Sequence, residues 1–353
     1  MQATVIPGVA MWSLWQPERN VFFNSFFIET PEGNLVVDPL AASDADIGEM
    51  ESRGGIAWIV VTNRDHERGA RTLAARFDAR LATSSEEAKL LSGPVDRTLL
   101  DRELFCGARI IALEGLKTPG EFALHLRERE TVLVGDALWG DPAGSFRLMP
   151  DEKLADPPRA AESMRRLAAL VPQHVLVGDG ACIFGAAQRA IWSCLEARRD
   201  VYVNRMNVDE VAWEDDSPEG PAQYRGSFYD IGRSIGAEKL GYQLGRLGPG
   251  ISFCPEHWHL AEEELFVILE GAATLCGPRG SWPLRRGDLV AFPTRPSGSH
   301  KIVNESSEPC TFLAIANTDA HDVCFYPNSE KVLIEATRQM LRAGPQLDYF
   351  DGE

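Results

Sequence analysis

The chain has 353 residues, which is long enough for two domains with full hydrophobic cores. Its 52 acidic residues against 35 basic ones give a formal net charge of −17, which argues against nucleic acid or an anionic membrane as a partner. Seven cysteines without a C-x-x-C spacing indicate reduced thiols in a cytoplasmic protein rather than a disulfide framework. The N-terminus lacks a signal-peptide pattern, and no run of 18 apolar residues predicts a membrane span.

The first 200 residues alternate between strand and helix patterns. Short runs rich in β-branched and aromatic residues predict strands at 21–23, 25–30, 35–39, 57–62, 79–83, 109–113, 131–134 and 174–178. Helical patterns lie between them, and the clearest ones cover 159–170 and 185–199. An opening hairpin followed by alternating strands and helices predicts an αββα sandwich over residues 1–200.

Several short motifs fall at the ends of these predicted strands. In chain order they are Val37-Asp38-Pro39, Val61-Thr62 before a turn that contains histidine and aspartate, Lys117-Thr118-Pro119-Gly120, Gly135-Asp136-Ala137-Leu138 and Val177-Gly178-Asp179-Gly180. In their identity and order they resemble the landmarks of the metallo-β-lactamase-like hydrolases, over roughly residues 15–200.

The metal ligands that this resemblance implies are mostly replaced. The family's T-H-x-H-x-D-H turn corresponds to Thr62–Arg68, and an alignment without gaps places Asn63 and Asp65 at the two first-site histidines. A two-residue deletion would instead align Asp65-His66 with the family's Asp-His pair, and both alignments stay open. Lys117 and Asp179 stand where the family has its other histidines.

Asp136, the carboxylate of the Gly-Asp landmark, is retained. Two interpretations of the degenerate site follow. In the first the domain is metal-free, and the Lys117 ammonium pairs with Asp136 or Asp179 in place of a metal ion. In the second a residual one-metal site remains, and its ligands are Asp65, His66, Asp136 and Asp179.

Residues 201–225 form an acidic segment with several prolines and glycines. This composition predicts a surface linker. The alternative is an arm that packs across the following domain, with Val211 and Trp213 as its anchors.

A concentrated set of potential metal ligands follows between Gly250 and Asn304. The set contains three of the seven histidines and one carboxylate, namely His257, His259, Glu264 and His300. The first two are two residues apart, so on a strand they point to the same face. Three imidazoles and one carboxylate suit Fe, Mn, Ni, Cu or Zn as a divalent ion, and they leave coordination positions open if the metal is octahedral.

The spacing of these residues resembles the two motifs of the cupin superfamily. The matching positions are Gly250, His257, His259, Glu264 and Gly271 in the first motif, and Gly287, Pro293, His300 and Asn304 in the second. The departure is the loop 294–299, which is longer than the pattern. The resemblance implies that 226–335 form an RmlC-like jelly roll (a double-stranded β-helix barrel) with one metal ion, and that the protein is a homodimer. A C-terminal helix and tail are predicted at 336–353, and the whole chain is α+β.

Positions in phase with Glu264 are Phe266 and Ile268, so the pocket should be mostly apolar and should suit a small organic ligand. Trp258 should face away from the metal. Cys254 either lines the mouth of the pocket or is a buried, inert thiol.

Three hypotheses for the function follow. The first is a metal-dependent cupin enzyme, an oxidoreductase of the oxygenase class or an isomerase, with the N-terminal domain as scaffold. The second is a non-catalytic module that senses a small molecule. The third is a hydrolase that uses the residual site of the N-terminal domain.

Overall fold

The computed structural model describes residues 1–211, 213, 221–345 and 347–352. It divides into two compact units, Met1–Arg205 and Met206–Glu353. None of the seven cysteines, all of which lie in the described part of the chain, forms a disulfide. Among the described residues, no helix has the length and apolar character needed to cross a membrane.

The first unit combines one large, strongly bent sheet with five helices. Its strands are β1 Gln2–Ala3, β2 Val9–Gln16, β3 Val21–Ile28, β4 Leu35–Val37, β5 Trp58–Val60, β6 Arg80–Ser84, β7 Arg97–Leu99, β8 Leu104–Phe105, β9 Ala108–Ala112, β10 Phe122–Leu126, β11 Thr131–Gly140, β12 His174–Gly180 and β13 Ile183–Phe184. Its helices are α1 Asp44–Ser52, α2 Ala70–Phe77, α3 Ser85–Ala88, α4 Pro157–Ala169 and α5 Ala187–Leu195. The strand order is β7-β6-β5-β4-β3-β12-β11-β10-β9-β8.

Alternation along the strands gives this sheet three cores. Phe26 and Val37 on one half pack with Leu133 and Leu176 on the other half, which makes a core between two layers of strands. The opposite face of β3–β5 packs against α1 and α2, and the opposite face of β11 and β12 packs against α4 and α5. The predicted αββα sandwich is confirmed.

The parallel strands of this unit end at one polar cluster. Strands β4, β5 and β6 are parallel neighbours, and so are β11 and β12. Asp38 follows β4 directly, and a single helical turn at Arg64–His66 follows β5. The register of β11 against β12 shifts between Val134 and Trp139, and Asp136 lies within this irregular stretch.

The second unit is almost entirely β. Its elements are β14 Ser227–Asp230, α6 Ile231–Ile235, β15 Leu240–Leu247, β16 Trp258–His259, β17 Glu264–Glu270, β18 Ala272–Gly277, β19 Gly280–Arg285, β20 Leu289–Phe292, β21 Lys301–Val303, β22 Cys310–Asn317, β23 Val323–Tyr326, β24 Lys331–Ile334 and β25 Gln339–Arg342. Three antiparallel sheets have the orders β14-β15-β22-β17-β20, β16-β23-β24-β25 and β19-β18-β21. Phe266, Phe312 and Ile302 lie in the buried core of this unit, as the barrel prediction requires.

The C-terminal helix predicted at 336–353 is wrong. A single helical turn at Glu335–Thr337 reverses the chain, and β25 then pairs antiparallel with β24. Arg338, at the end of that turn, has a positive φ of 53°, which interrupts a helix at that point. Pairing with a neighbouring strand has therefore overridden the local helix preference.

The segment predicted as linker or arm belongs to the second unit from Met206 onward. Val211 is buried in a small cluster with Ile231 and Leu244, and Trp213 packs against that cluster. These contacts match the arm alternative for the described part of the segment. The acidic residues 214–220 lie outside the described residues.

Candidate metal centre

Three short backbone segments bring the candidate ligands of the second unit together. His257 and His300 form an isolated antiparallel bridge, in which each backbone N–H donates to the other residue's carbonyl, at 3.0 and 2.9 Å. His259 ends β16 and shares a face with His257, because the two are two residues apart on an extended segment. Glu264 begins β17.

The four predicted ligands converge on one point. Oε2 of Glu264 lies 3.8 Å from Nε2 of His257, 3.7 Å from Nε2 of His259 and 3.3 Å from Nε2 of His300. Each imidazole thus turns the same nitrogen toward the same carboxylate oxygen. His257, Glu264 and His300 present ligating atoms within 4.8 Å of one another, close enough for a single cation, and His259 approaches the same carboxylate oxygen.

The other nitrogen of each imidazole faces a hydrogen-bond acceptor. Nδ1 of His257 is 3.0 Å from the carbonyl of Pro255, and Nδ1 of His300 is 2.9 Å from the carbonyl of Gly298. Nδ1 of His259 is 2.7 Å from the carboxylate of Asp322. These acceptors favour a hydrogen on each Nδ1, so the Nε2 lone pairs are left for a metal ion.

Two atoms at the centre of this group lack partners. Oε2 of Glu264 and Nε2 of His300 are buried side-chain atoms without a hydrogen bond among the described residues. A buried polar atom without a partner costs free energy, and a bound cation would satisfy both of these atoms at once. The residues therefore fit the divalent ion that the sequence predicts.

Burial sets the charge states around this point. Burial and the neighbouring His259 lower the pKa of His257 to about 4, and burial lowers the pKa of His300 to about 3. Both imidazoles are therefore neutral at pH 7 and can act as ligands. Burial raises the pKa of Glu264 to about 7. At His259 burial acts to lower the pKa, but Cys324 and Asp322 outweigh it and raise the pKa to about 10. Surroundings that attract a proton attract a metal cation for the same electrostatic reason.

The remaining motif residues hold the backbone of the site. Asn304 is fully buried, and its amide donates to the carbonyls of Leu247 and Glu308. Gly271 has a φ of +74°, and a Cβ there would lie 2.3 Å from the carbonyl oxygen of Pro309. The long loop before His300 contains one helical turn at Pro296–Gly298. It leaves His300 beside the ring of Phe292, at 3.5 Å between ring centroids.

Three residues near the site were not identified from the sequence. Asp322 accepts the hydrogen bond from His259, Cys324 lies opposite His259 in the ladder between β16 and β23, and the ring of Tyr326 stacks against His257 at 5.9 Å. They occupy alternate positions in one extended run, so they share a face. That period of two was readable in the sequence, but the pairing of this run with His259 was not.

Trp258 and Phe266 match their predicted orientations. Trp258 stacks on Phe325, with ring centroids 4.0 Å apart, on the face of β16 opposite to His259. Phe266 is fully buried and lies 5.8 Å from the ring of His300. Cys254 is half-buried, and its Sγ lies 3.4 Å from Nδ1 of His257.

The polar cluster of the first unit is built differently. His66 is 1% exposed, with Nδ1 2.8 Å from Asp38 and Nε2 3.2 Å from Asp136. Burial acts to lower the pKa of His66, but these two carboxylates outweigh it and raise the pKa to about 10. An imidazolium therefore lies between two carboxylates. Asp38 also accepts hydrogen bonds from the backbone and hydroxyl of Thr62, at 2.8 and 2.6 Å.

Asp179 completes this cluster beside two guanidinium groups. His66, Asp136 and Asp179 present ligating atoms within 4.8 Å of one another. Arg68 lies 3.5 Å from Asp179, and Arg19 lies 3.9 Å from it. Burial and the charge of Asp136 raise the pKa of Asp179, and the two guanidinium groups act in the opposite direction.

The fourth member of the predicted residual site lies elsewhere. Asp65 is 39% exposed and pairs with Lys117. The expected pairing of Lys117 with Asp136 or Asp179 is therefore wrong. The structure brings together only three of the four residues proposed for a residual site.

A cavity of about 560 Å³ adjoins this cluster within the first unit. It is lined by both charged and apolar side chains, namely Arg19, Val21, Lys117, Asp136, Trp139, Asp141, Arg147, Met149, Lys153 and Asp179. A small organic molecule fits such a volume.

The two units match two families. A model described as metallo-beta-lactamase superfamily matches residues 1–200, and a cupin domain model matches residues 243–316. No curated protein matches the chain.

Several solved structures resemble parts of the chain. A putative sugar phosphate isomerase from Acidithiobacillus ferrooxidans is 23% identical, with 41% of this chain and 96% of that chain covered and a TM-score of 0.38. A sugar phosphate isomerase of the cupin superfamily from Silicibacter pomeroyi is 24% identical over 42% of this chain and 98% of that chain, with a TM-score of 0.36. A metallo-beta-lactamase from Pontibacter korlensis is 15% identical over 56% of this chain and 98% of that chain, with a TM-score of 0.47.

Proposed function

Because the chain belongs to the metallo-beta-lactamase superfamily through residues 1–200 and carries a cupin domain in its second unit, we propose that its chemistry resides in the cupin centre rather than in the superfamily's own site. The protein is then a metal-dependent enzyme of the isomerase or oxygenase class, and its substrate is a small organic molecule. One divalent ion (Fe, Mn, Ni, Cu or Zn) is held by the three histidines and Glu264.

The observation that carries this proposal is the convergence of three Nε2 atoms on Oε2 of Glu264, together with the two buried atoms there that lack partners. Four protein donors leave two positions free on an octahedral ion, so a substrate can bind through one or two oxygen atoms. Bound there, the ion supplies Lewis-acid chemistry to a carbonyl or enolate or, as iron, the activation of dioxygen.

The surrounding side chains suit an oxygen-bearing organic substrate. The rings of Phe266 and Phe292 pack around His300 and give that side of the site an apolar wall that excludes water. Tyr326 stacks on His257, and burial raises the pKa of its phenol, so the hydroxyl stays protonated. It can therefore donate a hydrogen bond to a substrate oxygen but cannot serve as a base at neutral pH.

The scaffold role of the first unit rests on its charge balance. The imidazolium of His66 and the guanidinium groups of Arg68 and Arg19 compensate the carboxylates that would otherwise attract a metal ion. The cavity beside Asp136 and Asp179 favours a second candidate function, a hydrolase with one residual metal ion in the first unit.

Metal content separates the two candidates. We would purify the wild type and His257→Ala/His259→Ala without added metal and count metal ions per chain, with His321→Ala, which removes an exposed histidine, as the control. About one ion in the wild type and in the control, and none in the double variant, is the expected result. Metal that survives the double variant would overturn the proposal in favour of the hydrolase, and a metal-free wild type would overturn it in favour of a binding or structural role.

A further inference from the structure

A thiol lies on the metal side of the cupin centre. Cys324 is directly opposite His259 in the antiparallel ladder, and residues opposite each other in a ladder present their side chains to the same face. Its side chain faces the same way as that of Asp322, two residues earlier. Cys324 is 2% exposed, so its sulfur is in the interior rather than in solvent.

The sulfur forms a group of donor atoms with two of the three imidazoles. His257, His259 and Cys324 present ligating atoms within 4.8 Å of one another, and so do His257, Glu264 and His300. His257 is common to both groups. Metal–nitrogen bonds of about 2.1 Å and metal–sulfur bonds of about 2.3 Å place donors on opposite sides of one ion about 4.4 Å apart. Each group by itself comes close to the spread that a single ion requires, and His257 connects the two groups.

We propose that Cys324 is a further metal ligand, so that the centre combines three imidazoles and one carboxylate with a thiolate and leaves one position free on an octahedral ion. This inference rests on the proposed metal centre. On binding, the metal ion replaces the thiol proton, which passes to solvent, and no electron is transferred. A thiolate shifts the preference of the centre toward zinc, cobalt and copper and away from manganese.

The other cysteines of this unit serve as controls. The Sγ atom of Cys254 is 3.4 Å from Nδ1 of His257, which is the nitrogen that bonds to Pro255 and not the one that faces Glu264. Cys310 is fully buried in the apolar core of the barrel. Neither sulfur therefore shares the point on which the Nε2 atoms converge.

The test is the absorption spectrum of the cobalt-loaded protein. We would load the metal-free full-length chain with one equivalent of Co(II) without oxygen and record the near-ultraviolet and visible spectrum. The wild type should show an intense sulfur-to-cobalt charge-transfer band. Cys324→Ser should lose that band while still binding about one cobalt, because three imidazoles and a carboxylate remain. Cys254→Ser and Cys310→Ser should keep the band.

The cobalt experiment distinguishes failure of the Cys324 ligand from failure of the proposed metal centre. Cobalt bound without a charge-transfer band in the wild type overturns thiolate ligation and leaves the proposed function intact. A band that disappears in Cys254→Ser but not in Cys324→Ser overturns the assignment to Cys324. Failure of the wild type to bind cobalt at all overturns the proposed metal centre, and the thiolate ligand with it.

A second measurement needs no variant, so it holds even if Cys324→Ser does not fold. X-ray absorption of the zinc-loaded wild type should contain a sulfur shell at about 2.3 Å in addition to nitrogen and oxygen at about 2.0–2.2 Å. A spectrum that fits with nitrogen and oxygen alone would overturn the proposal.

Discussion

The two polar clusters of this chain use similar side chains but differ in where their positive charge comes from. In the second unit, the Nε2 atoms of His257, His259 and His300 face Glu264, and two of the four central atoms have no partner in the described part of the chain. In the first unit, both nitrogens of His66 already face carboxylates.

The difference in charge between the two clusters follows from the groups that each imidazole contacts. In the cupin centre, burial keeps the rings of His257 and His300 neutral, and their outward nitrogens meet only neutral backbone carbonyls. His259 differs, because burial is outweighed there by Cys324 and the carboxylate of Asp322, which raise its pKa to about 10. At His66 both neighbours are anionic, so the ring itself becomes the cation. Arg68 and Arg19 add two more positive charges beside Asp179.

If the proposed function holds, a group of His and Asp residues at hydrogen-bond distance is not by itself a metal site. What distinguishes a cage for a metal ion is donor lone pairs that converge and have no other partner. A cluster whose carboxylates are already compensated gains less from a metal ion, because binding must displace a proton or a guanidinium group.

The largest expected effect is the loss of most of the metal-dependent stability in His300→Ala. With zinc about 1,000-fold above its dissociation constant, the ion should add about 4 kcal/mol to the free energy of unfolding of the wild type. His300→Ala removes a ligand whose Nε2 lacks another partner, so most of the added stability should be lost. Thermal unfolding with zinc and with a chelator measures this increment, and His321→Ala should retain it. An unchanged increment in His300→Ala would place the metal elsewhere.

The next largest effect is the loss of stability when the His66 imidazolium of the first unit is removed. His66→Leu leaves the carboxylates of Asp38 and Asp136 buried without their shared partner, which should cost about 3–5 kcal/mol of unfolding free energy. Lys117→Ala breaks a half-exposed ion pair with Asp65 and should cost only about 0–1 kcal/mol. Urea unfolding of both variants gives the two values. Equal costs would mean that His66 is not the compensating charge.

The same imidazolium predicts a pH dependence. The pKa of His66 is 6.5 in the unfolded chain and about 10 in the folded one, so the folded state binds more protons between these values. Its stabilising contribution is complete below pH 6.5 and is lost as the pH rises through about 10. Glu121, with its pKa raised to about 8 mainly by burial, acts in the same direction between its ordinary value and that pH. Urea midpoints at about pH 6, 8 and 10 should therefore decrease, and His66→Leu should reduce the fall between about pH 8 and 10. Part of that fall should persist in the variant, because the pKa of His259 is also raised to about 10.

The sequence was sufficient for the architecture of both units, and it identified the four side chains that meet at the candidate cupin centre. Two-residue spacing fixed the shared face of His257 and His259, and the β pattern placed Glu264 at the start of a strand. Asp322 was out of reach because it lies 63 residues from His259, and only the pairing of their strands brings them together.

In the first unit, the sequence identified individual polar residues but did not predict which of them contact one another. The Asp38 landmark was readable as the end of a hairpin strand, but its hydrogen bond to His66 depends on how the ends of parallel strands converge. Asp65 and Lys117 were identified individually, yet their ion pair lies outside the group of His66, Asp136 and Asp179. At the C-terminus, β25 forms because β24 offers it an open edge, which no local pattern reveals.

The smallest expected effect is a change in metal affinity caused by Asp322, which contacts the ligand His259 but not the metal ion itself. Asp322→Asn keeps the shape of the side chain but removes the negative charge that Nδ1 of His259 contacts at 2.7 Å. Metal affinity should fall about 10–100-fold, measured by competition with a chelator, while the stoichiometry stays at one. Glu262→Gln is the matched control, because Glu262 also faces that nitrogen but at 3.8 Å, beyond hydrogen-bond reach. A comparable loss in both variants would show that net charge near the site, rather than the hydrogen bond that orients His259, governs the affinity. A loss confined to Asp322→Asn would show that the cupin cage is set by oriented lone pairs, the property that the His66 cluster lacks.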